Sequence, residues 1–120
     1  PSSGETVMSS ISTHILDTAR DIPAANVSIS LHRQQNDQWN CIGEGKTNTD
    51  GRVSDLCEQQ SNLSAGVYKM HFATGDYFSA MGDAVFYPYA EVVFVIGKDT
   101  AHYHIPLLLS PFGYSTYRGS

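Results

Sequence analysis

The chain has 120 residues, 41% of them hydrophobic and 16% charged, which is the size and composition of one compact domain. Seven Lys and Arg residues against twelve Asp and Glu give a formal charge of −5, and the basic residues are scattered. This balance argues against a nucleic-acid-binding surface. No run approaches the roughly 18 apolar residues of a membrane span, and the first residues lack the regions of a signal peptide, so we expect a soluble protein away from membranes.

The N-terminal half begins with a linker-like stretch and continues as strands. Residues 1–11 have the composition of a flexible tail, which predicts a single domain over 12–120. A strand is expected at 13–16. Residues 27–32 alternate between apolar and polar side chains, the pattern of a half-buried strand, and a further strand is expected at 39–45.

A turn and another alternating segment follow. Asn48-Thr49-Asp50-Gly51 is a strong turn signal and places Arg52 just after a tight turn. Residues 67–72 alternate again, which predicts a strand with three side chains pointing inward: Tyr68, Met70 and Phe72.

One segment has the features of a short helix. Asp76 can cap it, Met81 would end it and Gly82 would close it. Helix content should therefore be low.

The C-terminal third returns to strands. Residues 89–96 are apolar at nearly every position, and 102–109 are apolar but interrupted by Pro106, which predicts an edge or a bulge there. With a last strand near Tyr114, the count is seven to eight short strands and one short helix. The fold class predicted is an all-β antiparallel sandwich.

The candidates for chemistry are the histidines, since their ordinary pKa lies nearest neutrality and two of them can move a proton from water to a leaving group. There are five: His14, His32, His71, His102 and His104. His14 is a polar residue within an apolar strand, and the last two share one face of a late strand. The pattern alone does not choose among them.

A metal site is a weaker hypothesis. His102 and His104 could ligate zinc only with further ligands from elsewhere, and no CxxC motif supplies them. Cys41 and Cys57 are sixteen positions apart and are interpreted as free thiols. There is no Gly-x-Ser-x-Gly elbow for a serine nucleophile and no Gly-rich phosphate loop.

The C-terminal segment carries an unusual combination of an aromatic residue, a guanidinium and a small residue. A frayed tail is one interpretation of Tyr117-Arg118-Gly119-Ser120. The alternative is that neighbouring apolar side chains pack the segment down and hold Arg118 and Ser120 in place; these are Pro111, Phe112, Tyr114 and Tyr117.

From residue 12 to residue 120 the sequence resembles the transthyretin-like family. Three stretches carry the resemblance: residues 14–24; the Thr49-Asp50-Gly51-Arg52 turn with Gly66-Val67-Tyr68-Lys69; and residues 103–111 leading into the final Tyr-Arg-Gly-Ser. The family contains thyroid-hormone carriers and 5-hydroxyisourate hydrolases on one scaffold, so the fold alone does not decide between them. Asp21 replaces the glycine common in the first stretch.

The resemblance to the hydrolases implies a set of site residues. Members of that class carry a histidine in the first strand, an arginine after the Asp-Gly turn and a second histidine before the Pro-Leu-Leu-Leu run, which correspond to His14, Arg52 and His104. Carriers have lysine, glutamate and threonine there. The terminal Tyr117, Arg118 and Ser120 would bind the substrate, with Ser120 also catalytic.

What the resemblance further implies is a reaction and an assembly. His14 and His104 would deprotonate water and Arg52 would stabilise the oxyanion. His102 would lie next to these residues without taking part, and neither cofactor nor metal would be needed.

The family assembly is a homotetramer, a dimer of dimers, with the active sites in a channel between the dimers. An intracellular location, peroxisomal or cytoplasmic, is expected, although the ending is not of the Ser-Lys-Leu type. A carrier and a purely structural module remain the alternatives.

Overall fold

A computed structural model describes residues 10–54, 56, 64–97 and 102–119. These ranges hold nine strands and one helix. In chain order they are β1 (Ser10–Asp17), β2 (Ile22–Pro23), β3 (Ser28–Gln35), β4 (Gln38–Lys46), β5 (Arg52–Val53), β6 (Gly66–Phe72), α1 (Thr74–Ala80), β7 (Ala90–Ile96), β8 (His102–Ser110) and β9 (Gly113–Thr116).

The strands form two sheets. The first has the order β2-β1-β8-β9, with β5 also pairing with β1, and the second has the order β4-β3-β6-β7. The all-β sandwich is therefore confirmed, and the nine strands of the described ranges, two of them only two residues long, exceed the seven to eight predicted. Most pairs are antiparallel, but β1 and β8 run parallel. Such a long-range parallel pair is not visible in local alternation.

The core lies between the sheets and is built from the alternating apolar faces. Ile11 and Ile15 of β1 are fully buried, as are Leu31 of β3 and Leu107 of β8. The three side chains predicted to point inward from β6 are also buried: Tyr68, Met70 and Phe72. The strand β1 begins at Ser10, so Ile11, at the end of the expected tail, belongs to the core. Residues 1–9 of the expected tail lie outside the described residues.

The helix α1 was predicted one turn too late. It begins at Thr74 after Ala73, which makes no side-chain capping bond, so Asp76 lies in the first turn and is not the cap. Gly82 follows the helix with φ +84° and closes it as expected, its N–H donating to the Ser79 carbonyl. With seven residues α1 is too short to cross a membrane, and the part of the chain that the structure describes contains no helix that could.

A buried carboxylate fastens α1 to the end of β1. Asp17 is fully buried and accepts a hydrogen bond from Tyr77 Oη at 2.8 Å. Arg20 donates through its guanidinium to the same oxygen, Asp17 Oδ2, at 3.0 Å and also pairs with Asp83 at 2.7 Å. Burial alone would raise the pKa of Asp17, but the hydrogen bonds from Tyr77 and Arg20 outweigh it and lower the pKa. The network holds the charged form of Asp17.

Pro106 does not lie on an edge strand, because β8 has β1 on one side and β9 on the other. Pro106 interrupts the hydrogen-bond ladder between β8 and β9. The β8–β9 pairing stops at Leu107 and Thr116 and resumes in the same register only at the bridge between His104 and Gly119. In that register Pro106 would donate to residue 117, and a proline has no N–H to donate.

Candidate active site

Three neighbouring strands of the first sheet carry the predicted histidines and arginine. His14 on β1 lies directly opposite Arg52 on β5, and Ser12 lies opposite His104 on β8. Since side chains two residues apart point to the same face of a strand, Ser12 and His14 share the outer face. The structure thus brings together His14, Arg52 and His104, which are 38 or more positions apart in the chain.

Arg52 and His104 border a cleft of about 390 Å³ on the outer face of the sheet. His14 lies beside the cleft, next to Arg52. The residues that line it are Ser12, Thr13, Arg52, Val53, Ser54, His102 and His104. The floor is fixed by Thr13, whose hydroxyl donates to the Ile105 carbonyl at 2.6 Å and fastens β1 to β8.

The Asn48 turn positions Arg52. Asn48 Oδ1 accepts hydrogen bonds from the N–H groups of Asp50 and Arg52, and its carbonyl accepts one from the Gly51 N–H at 2.9 Å. Gly51 has φ +73°, and a Cβ there would collide with the backbone of β1. The predicted tight turn before Arg52 is confirmed. No carboxylate of the described residues forms an ion pair with the Arg52 guanidinium, which is exposed.

Both histidines next to Arg52 favour the neutral form. Burial lowers the pKa of His14 and the positive charge of Arg52 lowers it further, while a hydrogen bond to the Asp50 backbone opposes the change. Burial also lowers the pKa of His104, with Arg52 and then the neighbouring histidines adding to the effect. A neutral imidazole can accept a proton, so both side chains are available as bases at neutral pH.

The C-terminal segment reaches the site at Gly119. The Gly119 N–H donates to the His104 carbonyl at 2.8 Å, and a Cβ on Gly119 would lie 2.7 Å from His104 Cδ2. Glycine is therefore needed for the chain to pass over the His104 ring. Ser120 lies outside the described residues and stays a prediction.

Tyr117 and Arg118 do not line this cleft. The Arg118 guanidinium lies 4.8 Å from the centre of the Tyr103 ring, and both residues line a separate apolar cavity of about 200 Å³ between the sheet edges. The packing predicted for the segment is only partial: the Phe112 and Tyr114 rings contact Phe86 and Tyr87, with centroids 6.3 Å and 5.8 Å apart, but Phe112 is 71% exposed and Tyr117 58% exposed. The pairing of β9 with β8 also holds the segment. The substrate contacts expected from Tyr117 and Arg118 stay a prediction.

Sequence reasoning missed Ser12. Its Oγ lies 2.8 Å from His104 Nδ1 and 2.8 Å from His102 Nε2, so one hydroxyl joins both rings. The strand was predicted to begin at residue 13, one position too late to include Ser12. Extending the alternation backwards from His14 would have placed Ser12 on the same face.

The zinc hypothesis gains no further ligands. Within the described ranges no group of three His, Cys, Asp or Glu side chains could hold a metal ion. Cys41 is a free, exposed thiol, as interpreted from the sequence, and Cys57 lies outside the described residues. His32 and His71 lie on the outer face of the second sheet, where they bond to Ser30 and Glu91.

Comparison with known proteins identifies the family. The profile of the HIUase/Transthyretin family matches residues 11–119. The chain belongs to this family. A 5-hydroxyisourate hydrolase from Mus musculus is 44% identical over 96% of the chain and 98% of its own length.

Solved structures of the family superpose closely on the chain. Klebsiella pneumoniae 5-hydroxyisourate hydrolase has a TM-score of 0.82 and 39% identity, covering 94% of this chain and all of its own. Sea bream transthyretin in complex with thyroxine has a TM-score of 0.83 and 36% identity, covering 91% of this chain and 93% of its own. The HIUase/transthyretin fold is thus confirmed, and fold similarity alone does not separate an enzyme from a carrier.

Proposed function

We propose that the chain hydrolyses 5-hydroxyisourate to 2-oxo-4-hydroxy-4-carboxy-5-ureidoimidazoline, a step of urate degradation. The observation that carries the proposal is that His104 and Arg52 line one cleft with His14 directly opposite Arg52, and that both imidazoles favour the neutral form. The names of the hydrolase relatives from mouse and Klebsiella pneumoniae support the same reaction.

The proposed mechanism begins with proton removal from water. His104 or His14 accepts one water proton through a neutral ring nitrogen as the oxygen attacks the ring carbonyl. The planar guanidinium of Arg52 faces the growing oxyanion and stabilises it in the transition state. The carbon–nitrogen bond then breaks and the ring nitrogen takes the proton from the histidine, which returns to the neutral form. No cofactor takes part in these steps.

Ser120 is proposed to close the cleft. It directly follows Gly119, which is bridged to His104. Tyr117 and Arg118 stay proposed substrate contacts, and within one chain Arg118 also lies over the Tyr103 ring, which supports the C-terminal segment.

A homotetramer is the proposed assembly. The edge strands β7 and β9 both border the cavity of about 200 Å³, so two unpaired edges lie on the same side of the sandwich. Exposed apolar side chains accompany them, among them Val93, Val95 and Phe112. Unprotected edges next to apolar surface favour pairing with another copy.

The test of the assignments follows the ultraviolet absorbance of freshly generated 5-hydroxyisourate. The wild-type chain should accelerate its decay, and His104→Ala, His14→Ala and Arg52→Ala should each lower kcat by about 10² or more, the range of acid–base and oxyanion-stabilising residues. Ser30→Ala, on the second sheet, is the matched control and should keep wild-type turnover. Wild-type rates in all three site variants would contradict the assigned roles.

A further inference from the structure

The Ser12 hydroxyl joins His104, a base of the proposed mechanism, to His102, which has no part in that mechanism. Both distances from Oγ, to His104 Nδ1 and to His102 Nε2, are 2.8 Å. The two rings lie with their centres 6.4 Å apart and nearly parallel, at 15°. Ser12 is almost fully buried, whereas His102 is exposed. The chain of hydrogen bonds therefore runs from the cleft residue His104 to a ring in contact with solvent.

A serine hydroxyl has one proton, so it can donate to only one of the two rings and accepts from the other. When Ser12 donates to His102, it accepts from Nδ1–H of His104, and Nε2 of His104 carries a lone pair. When Ser12 donates to His104, it accepts from Nε2–H of His102, and Nε2 of His104 carries the proton. Ser12 thus couples the tautomers of the two histidines. In the first arrangement His104 Nε2 can act as a base, and in the second it can act as an acid.

We propose that Ser12 and His102 form a proton relay with His104, in which His102 stores the proton that His104 takes from the attacking water. The inference rests on the proposed function. In the first step a water O–H bond breaks and an N–H bond forms at His104 Nε2. Nδ1 of His104 passes its proton to Ser12 Oγ, and Ser12 passes its own to His102 Nε2, which leaves His102 as the imidazolium.

The second step is the reverse. His104 Nε2 gives its proton to the leaving ring nitrogen, Ser12 returns a proton to His104 Nδ1, and His102 Nε2 returns one to Ser12. All three groups regain their starting protonation, and the net change is the transfer of one proton from water to the leaving nitrogen.

The relay has a physical advantage because of where Arg52 lies. Arg52 is opposite His14, while His104 and His102 are paired with Ser12 and Ser10, successively further along β1. Each step of two residues along a strand is about 6.6 Å. A positive charge on His102 is thus further from the guanidinium than one on His104, so passing the proton outwards reduces repulsion in the charged intermediate.

The relay is tested by kinetics on matched variants. Ser12→Ala removes the hydroxyl and Ser12→Thr retains it, while His102→Gln keeps a hydrogen-bonding side chain that cannot store a proton. We expect kcat to fall about tenfold or more in Ser12→Ala and His102→Gln with KM within about twofold, and Ser12→Thr to restore most of kcat. Ser30→Ala removes the same 2.8 Å serine–histidine bond at His32, outside the cleft, and should leave both constants unchanged.

The second readout needs no substrate. In ¹⁵N-labelled protein, the histidine nitrogen shifts report which ring nitrogen carries the proton, and the tautomers of His102 and His104 should change together in Ser12→Ala but not in Ser12→Thr. Wild-type kcat in Ser12→Ala or in His102→Gln would overturn the relay, as would unchanged tautomers in Ser12→Ala. A wild-type chain with no activity would overturn the proposed function itself. The histidine ¹⁵N shifts would then still show whether Ser12 couples the tautomers of His102 and His104.

Discussion

Arg52 acts on the site at the residue scale through its charge. Burial is the largest cause that lowers the pKa of His14 and His104, and Arg52 is the next for both. The active form of each base is the neutral imidazole, so activity is expected to persist through neutral pH. It should fall only as the pH drops below the ordinary histidine value of 6.5 and the rings take up protons.

A pH profile of kcat/KM checks this expectation. Arg52→Gln removes the positive charge, so the pKa values of both histidines should rise and the acid limb should move to higher pH, in addition to a lower plateau. Ser30→Ala should leave the limb in place. An unmoved acid limb in Arg52→Gln would contradict the electrostatic role.

Gly119 sets the distance between the C-terminal segment and His104. An alanine Cβ would lie 2.7 Å from His104 Cδ2 and 3.3 Å from His104 Cβ, which forces the segment or the ring to move. Gly119→Ala should therefore lower kcat/KM by about tenfold or more, in line with the cost of small displacements at a site. Gly113→Ala is the control, since the nearest atom there, Ser110 Oγ, is 3.8 Å away. Equal activity of the two variants would show that the close approach is unimportant.

The residues that could be predicted from the sequence are those whose position follows from a local pattern. The turn before Arg52 followed from Asn-Thr-Asp-Gly, and Asp21 takes the left-handed conformation, φ +59°, that suits the glycine of related sequences. The partners of Ser12 and Arg118 could not be assigned in this way. Ser12 bonds to His104, 92 positions away, and Arg118 lies over Tyr103 on β8, a strand whose pairing with β1 is not local.

At the scale of elements, a buried carboxylate joins α1 to β1. Tyr77→Phe removes the hydroxyl that donates to Asp17, leaving a buried acceptor with one donor fewer. The free energy of unfolding should fall by about 1–3 kcal/mol, measured by chemical denaturation, with kcat unchanged. Because the pKa of Asp17 is lowered in the folded state, its stabilising contribution is present above its unfolded value of 3.8 and is lost as the pH falls further. The difference between wild type and variant should accordingly shrink in acid.

The helix also shows why its start was predicted one turn late. Asp76 is a good capping residue by type, but the helix begins where the chain leaves β6 and where the Gly75 N–H donates to the Pro88 carbonyl at 2.9 Å. Tertiary contacts, rather than the local capping preference, fix the first turn. A stability of Tyr77→Phe equal to wild type at neutral pH would contradict the role given to Asp17.

At the scale of the whole molecule, the sandwich is predictable because the alternation of apolar and polar residues sets which face of each strand is buried. The parallel β1–β8 pair and the interruption at Pro106 are not predictable, because they depend on which strands pair, and alternation does not encode this.

The proposed tetramer belongs to the same scale. In the register of β9, the Tyr114 N–H points away from β8, towards the open edge.

Tyr114→Pro removes that outward donor, which an edge strand tolerates, and should abolish tetramer formation through β9. Light scattering should give a smaller mass than the four-chain particle of 13.1 kDa protomers expected for the wild type. Tyr114→Thr keeps the N–H and serves as the control for loss of the ring. A monomeric wild-type chain, or a tetrameric Tyr114→Pro variant, would contradict edge pairing through β9.

The most direct measurement of the central claim is the decay of freshly generated 5-hydroxyisourate with the chain at a small fraction of the substrate concentration. We expect many turnovers per chain, with product formation well above the spontaneous rate. Decay at the spontaneous rate from a correctly folded and assembled protein would contradict the hydrolase assignment, and binding of thyroxine by the same sample would then favour a carrier.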